Sequence, residues 1–516
     1  MYKKLHKSYF YNYLFYVGIL ILLFACNQPK KENKPVLFEA LKNSQTGLNF
    51  TNTLTPKADF NMFKYMYFYN GAGVGAGDFN NDGFIDLFFT SNQGQNKLFL
   101  NKKGLKFEDV TLQSKIPNDS AWSTGVSVID INNDGLLDVY VCRVGNFESL
   151  QSHNQFLICK GIDNNGIPFY EDESAKMGLA KSAFGTQAAF LDYDADGDLD
   201  MYLMNHSLRY NGTFNNRASY VNTKDSLAGD ILYNNDAGLF TDVSNQAGIS
   251  GTVISYGLGI CVSDINTDGW PDIYIGNDFH ENDYLYINQQ DGTFKETLQS
   301  QTMHTSQFSM GVDVADINND AAPDIISMDM LPYDPLILKR SLEEDDYNLF
   351  NYKIQYGYHP QFSRNALQIN RRNGMFSEAA MYAGVEATDW SWAALFTDFD
   401  NDGWKDLFVS NGIPKRLNDM DYVNYVTNTE IQDKIRSNKM GENDMALINK
   451  FPEIKLNNKF FLNKQAAKFE DIETQIKNDQ PTFSNGAAYA DFDNDGDVDV
   501  VVNNIEDPVY CMKIKR

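Results

Sequence analysis

A chain of 516 residues with 43% hydrophobic content has enough apolar material for a large core, which excludes a disordered acidic chain. Its formal net charge of −26 speaks against nucleic acid as a partner. The five cysteines have neither metal-ligand spacing nor a dense framework, so the fold is not expected to rest on disulfides. Cys142 and Cys159 could meet on neighbouring strands, but two buried free thiols are the expected state.

The first 26 residues read as a secretory signal. Lys3, Lys4 and Lys7 form a basic start, and an apolar run over 14–24 leads into Ala25-Cys26. The run is shorter than the ~20 residues a membrane span needs. This pattern resembles a bacterial lipoprotein signal, which implies lipidation of Cys26 and a protein anchored to the cell envelope, at the outer membrane. Residues 27–35, polar and charged with two prolines, read as a tether, and 36–516 as the folded domain.

Seven copies of one nine-residue pattern organise that domain: 78–86 (DFNNDGFID), 130–138 (DINNDGLLD), 192–200 (DYDADGDLD), 264–272 (DINTDGWPD), 316–324 (DINNDAAPD), 398–406 (DFDNDGWKD) and 491–499 (DFDNDGDVD). Side-chain oxygens at alternate positions of a short loop can wrap one Ca²⁺, which takes six to eight oxygen ligands. Position one is Asp78, Asp130, Asp192, Asp264, Asp316, Asp398 and Asp491. Position three is Asn80, Asn132, Asp194, Asn266, Asn318, Asp400 and Asp493. Position five is Asp82, Asp134, Asp196, Asp268, Asp320, Asp402 and Asp495. Position nine is Asp86, Asp138, Asp200, Asp272, Asp324, Asp406 and Asp499. Glycine at position six permits the sharp turn, except in the fifth copy, where Ala321 marks a weak or empty site. An EF-hand is the poorer reading, because its twelve-residue loop ends in Glu between helices.

The flanks repeat as well. Eight residues before the loop stands an aromatic in six copies: Trp122, Phe184, Tyr256, Phe308, Trp390 and Phe483. Five residues before it there is glycine in five copies. After the loop comes an apolar run such as VYVC or LFVS without polar alternation, which reads as a strand buried on both faces. Two further short strands follow, for example KLFLN and FEDV. Four-stranded units repeated seven times predict an all-β, seven-bladed β-propeller, with each candidate metal loop between the first and second strand. The last unit lacks a fourth strand, and 37–40 (LFEA) matches that strand's pattern. The N-terminal segment is therefore expected to complete the last blade and close the ring.

With these motifs in hand, the chain resembles the FG-GAP/VCBS repeat family of integrin-α-like propellers. The stretch from Tyr69-Asn-Gly-Ala-Gly-Val through 78–86 resembles its bacterial branch related to cartilage acidic protein. The resemblance implies Ca²⁺ in up to seven loops. The C-terminal ASPIC/UnbV-type domain of many relatives is not expected, since the chain ends with the propeller.

Spacings between successive loops are 52, 62, 72, 52, 82 and 93 residues, and the excess falls between second and third strands, at 204–229, 328–364 and 411–457. That connection leaves from the face opposite the loops, and insertions gathered on one face usually build a binding surface. His206, Arg209, Tyr210, Tyr352, Tyr356, Tyr358 and Arg416 are its candidate contacts, for a protein or glycan ligand. Helix is expected near 421–439. The expected function is a non-enzymatic binding or adhesion module. A polysaccharide lyase or glycosidase, or an accessory subunit of an outer-membrane complex, are the alternatives.

Overall fold

Short β-rich runs of alternating small and branched residues cannot bury both faces alone, so the units must stack. In the computed structural model, which describes residues 36–515 apart from 210–214, 222, 342–344, 427 and 438–439, they stack as seven antiparallel sheets in chain order, the blades of a propeller. The first blade comprises Val74–Gly77, Asp86–Phe89, Lys97–Asn101 and Phe107–Asp109. The sixth comprises Ser391–Thr397, Asp406–Asn411, Lys459–Asn463 and Phe469–Asp471. In every blade the nine-residue loop joins the first strand to the second. The signal and tether assigned to 1–35, including Cys26, lie outside the described residues, as does Tyr210.

The seventh sheet has Ser484–Ala490, Asp499–Asn504 and Tyr510–Ile514. Phe38–Leu41 lies antiparallel on Tyr510–Ile514, with Phe38 opposite Ile514 and Leu41 opposite Cys511. Ile476–Lys477 runs parallel to it on the outside.

Second strands are buried on both faces, as their unbroken apolar runs require. The core is accordingly a set of clusters between neighbouring blades. Phe399, Phe408, Val500 and Met512 join the sixth blade to the seventh, and Leu87, Phe89, Phe492 and Val501 join the seventh to the first. Cys142 and Cys159 are buried free thiols. Around the axis the first strands approach each other closely. A Cβ on Gly125 would stand 2.5 Å from the Thr186 carbonyl oxygen, and one on Gly311 would stand 1.7 Å from that of Trp392, so no larger residue fits there.

A polar clamp repeats inside the blades. The residue opening the third strand region (Asn96, Asn154, Asp230, Asp283, Asn365 or Asn458) accepts the backbone N–H at or just beyond the end of the second strand, at 2.7–2.9 Å. Such a group would otherwise be a buried orphan. In blades three and four the acceptor is a carboxyl, and burial pushes Asp230 and Asp283 up to about 7. A carboxyl with a raised folded pKa contributes stability that is full below its unfolded value of 3.8 and is lost as pH rises through about 7. Unfolding free energy should fall across that window, by up to about 1.4 kcal/mol per pH unit for each group. The double variant Asp230→Asn/Asp283→Asn should flatten the fall, since an amide already fills the place in four blades. Urea midpoints at about pH 5 and about pH 7, at constant calcium, measure this. Equal pH slopes for variant and wild type would contradict it.

Candidate functional site

Each loop is built around its first carboxylate. Asp78 Oδ1 accepts the N–H of Asp82 at 3.0 Å and Oδ2 accepts that of Gly83 at 2.8 Å. The same pair recurs at Asp130, Asp264, Asp316, Asp398 and Asp491. The turn needs two left-handed residues, not one. Position six has φ of 82–98° in its six glycines, and position four has φ of 51–61°. Position four is Asn in five loops, a residue that tolerates this region. Ala321 adopts φ 65° and still donates to Asp316, at 2.8 Å, so the fifth loop keeps its shape. Position-four amides also tie loops edge to edge. Asn81 reaches the Gly135 carbonyl at 2.9 Å, Asn319 that of Gly403 at 3.0 Å, and Asn494 of the last blade that of Gly83 in the first at 2.9 Å.

Position nine turns inward. Asp86 Oδ2 accepts from Phe79 N at 3.0 Å and Oδ1 from Asn101 N at 2.7 Å, which pins the loop to the third strand. Asp138, Asp200, Asp272, Asp324 and Asp406 repeat both bonds. Burial, with further push from the loop's other carboxylates, raises Asp138 and Asp272 to about 6 and Asp86, Asp200, Asp324, Asp406 and Asp499 to about 7. A divalent cation would reverse that direction.

Among the described residues, carboxylate oxygens gather within 4.8 Å in three loops: Asp192, Asp194 and Asp200; Asp398, Asp400 and Asp406; Asp491, Asp493 and Asp495. Buried oxygens of Asp192, Asp194, Asp400, Asp493 and Asp499 have no hydrogen-bond donor, and an all-oxygen set of this kind fits Ca²⁺. In blades one, two and four the position-three side chain is Asn, and its amide donates to position five at 2.9–3.1 Å, which offsets part of the charge. In the seventh loop Lys513 Nζ pairs with Asp493 and, at 2.9 Å, with Asp495, so an ammonium competes there.

At the opposite ends of the strands the three insertions meet one another. Tyr358 Oη donates to the Asn215 carbonyl at 3.0 Å and Arg217 N to that of Tyr356 at 2.8 Å, joining blade three's insertion to blade five's. Met420 N donates to the Arg340 carbonyl at 2.7 Å and Arg340 pairs with Asp419 at 2.9 Å, joining blade five's to blade six's. The helical reading near 421–439 corresponds to helices Met420–Val426 and Thr429–Arg436.

A family model described as "FG-GAP-like repeat" matches residues 78–141, 264–327 and 357–409, spanning loops and strands of the first, second, fourth, fifth and sixth blades. The chain carries FG-GAP-like repeats. The mouse cartilage acidic protein 1 is 22% identical over 418 residues, covering 73% of this chain and 61% of that protein. The human one is 22% identical over 436 residues, covering 76% and 62%. This chain thus spans about three fifths of the length of these relatives. A solved lectin from Agrocybe aegerita that recognises non-reducing terminal N-acetylglucosamine overlays 80% of the chain and 82% of its own at TM-score 0.41 and 11% identity.

In this FG-GAP-like propeller the expected ligand contacts divide. Arg209 is exposed, and Tyr352 and Tyr356 are 55% and 37% exposed. His206, Tyr358 and Arg416 are buried, which corrects their assignment to the outer surface. His206 is wedged between Tyr65 Oη at 2.9 Å and Thr186 Oγ1 at 3.1 Å, and burial lowers its imidazole to about 3. Arg416 forms a buried ion pair with Asp389. Each fastens an insertion or the cap to the scaffold.

The sequence reading missed the cap itself. Leu54, Phe60, Tyr65, Tyr67 and Phe68 lie in one apolar cluster with Trp122, Phe184, Trp390 and Phe483, aromatics that precede four different loops. The repeating aromatic therefore builds a floor onto which the N-terminal segment packs. A channel of about 300 Å³ runs between the first strands, with Tyr65, Tyr67 and His206 at its capped side. The dense aromatic run at 60–69 (FNMFKYMYFY) was the available signal.

Proposed function

We propose that this FG-GAP-like propeller is a calcium-stabilised, non-enzymatic binding module that engages a protein partner through the insertion face. One observation carries the choice of face: of the fifteen exposed large hydrophobic residues among the described ones, six lie within 328–364, including Leu336 at 76%, Tyr347 at 81% and Tyr352 at 55% exposure. Met420 of the adjoining insertion adds a seventh. Clustered exposed apolar side chains mark interaction surfaces. Leu336, Ile354 and Met420 offer no flat ring to a sugar, so a protein suits the patch better than a glycan. The helix Tyr347–Gln355 that presents much of it is set firmly. Asp346 caps it through Asn348 N at 2.8 Å and Leu349 N at 3.0 Å, and Lys353 pairs with Asp345 at 2.5 Å. With Cys26 lipidated, the tether 27–35 would hold this module at the cell envelope.

Photo-crosslinking in cells of the source organism tests the face. A benzophenone amino acid at Tyr352 or Tyr347 should give discrete protein adducts, and one at the exposed Leu239 of blade three should not. The variant Leu336→Ser/Tyr352→Ser should lose the adducts formed from Tyr347 while melting as wild type does. Equal adducts from Leu239 would refute the choice of face, and binding to a glycan array without protein adducts would refute the partner class.

A further inference from the structure

We propose that a second cavity, between the cap and blades four, five and six, binds a small organic ammonium compound, with its charge on Asp278 and its apolar body between aromatic and thioether walls. The cavity measures about 310 Å³, the size of a small-ligand site. Tyr67, Phe279, Phe308 and Trp390 supply ring walls, and Met310 and Met330 supply sulfur. It lies inward of the insertion surface and does not depend on what binds there.

Asp278, Trp390 and Asn418 are among the polar side chains that line this space, and each of these three is at least nine-tenths buried. Asp278 is 8% exposed, Trp390 7% and Asn418 9%. Asn418 Oδ1 and Trp390 Nε1 have no hydrogen-bond partner, a costly state for buried polar atoms that a ligand would relieve. Asp278 accepts from Phe279 N at 2.8 Å and from Tyr67 Oη at 3.3 Å. Burial above all, with the like charge of Asp329, pushes its carboxyl up to about 8, so near pH 7 the empty cavity holds mostly the neutral acid, and a bound ammonium would favour the carboxylate and release that proton. Arg416, on the stretch that bears Leu417 and Asn418, is already engaged by Asp389.

This chemistry selects the charge of the occupant. An anion would meet Asp278 and Asp329. A neutral apolar molecule would fill the walls and leave the carboxyl as the uncharged acid, gaining nothing from its charge. A cation is attracted both by the carboxylate and by the ring faces. The indole N–H of Trp390 suits a hydroxyl or carbonyl oxygen on the same molecule. The backbone is strained at this place: Phe279 has φ 62° and Asp389, next to Trp390, has φ 72°. Such conformations in non-glycine residues collect at ligand clamps.

Calorimetric titration of the intact propeller, with calcium present, tests the proposal with phenethylammonium, benzylammonium and choline, and with 2-phenylethanol as the neutral isostere. At least one cation should bind about tenfold or more tightly than 2-phenylethanol. Asp278→Asn should abolish that preference. Tyr67 can still donate to the new amide oxygen, so the cavity should persist. Should that variant not fold, Met330→Trp, which fills the space with another apolar side chain, should remove binding of all four compounds. Failure of every cation to bind the wild type, equal binding of 2-phenylethanol, or a preference that survives in Asp278→Asn would each overturn the proposal. None of these outcomes bears on adducts formed from Tyr347 or Tyr352, so the two proposals fail separately.

Discussion

Chelation of calcium is expected to lower the melting temperature steeply. Extracellular modules bind Ca²⁺ with dissociation constants of roughly 10⁻⁴–10⁻³ M. At ~1 mM Ca²⁺ and a constant near 10⁻⁴ M, linkage stabilises the folded state by about 1.4 kcal/mol per site. Seven independent sites would contribute ~10 kcal/mol, comparable to the whole stability of a typical domain. The loops should not contribute equally. The loop of blade three carries five carboxylates and that of blade six four, both with orphaned oxygens, whereas the seventh shares two of its carboxylates with Lys513. The fifth loop has only three carboxylates, Asp316, Asp320 and Asp324, so Asp400→Asn should lower the melting temperature in calcium more than Asp320→Asn does. In EDTA the two variants should converge on the chelated wild type. A melting curve that does not move with EDTA would remove calcium from the account.

Loss of the N-terminal strand should be nearly as damaging. Phe38 is fully buried, with ring centroids 4.5 Å from Phe460 and 5.6 Å from Phe399 of the sixth blade. Glu39 pairs with Lys477 at 2.9 Å and with Lys515. Phe38→Ala should cost about 3–5 kcal/mol, the range for a large aromatic removed from a core. Deleting 36–41 should do more, because it also bares the backbone of Tyr510–Ile514 as an open sheet edge prone to pairing with another chain. Size-exclusion chromatography and thermal melting of the two variants measure this. A deletion variant that stays monomeric and melts with the wild type would show that the ring does not depend on this strand.

What the sequence by itself determined is whatever repeats. Seven copies of the Asp pattern, the apolar run after each, and the four-strand rhythm are local features, and their recurrence gave the blade count, the place of each loop and the buried second strands. The glycines five residues before the loops belong to this class, because a close approach of the neighbouring first strand recurs at Gly125, Gly259 and Gly311. The tertiary structure decided whatever depends on which blades meet. Position nine, read as one more ligand, also proves to be the inward clamp that holds Asn101 or Cys159 of the third strand. His206 and Arg416 carry polar groups that favour a surface, yet Tyr65 and Asp389, each distant in sequence, take them into the interior. The cavity beside Asp278 has walls from the cap and three blades, and no periodicity links them. Periodic burial is written into each unit because every unit solves the same packing problem. A contact between non-repeating segments is set only when the ring brings them together over one axis.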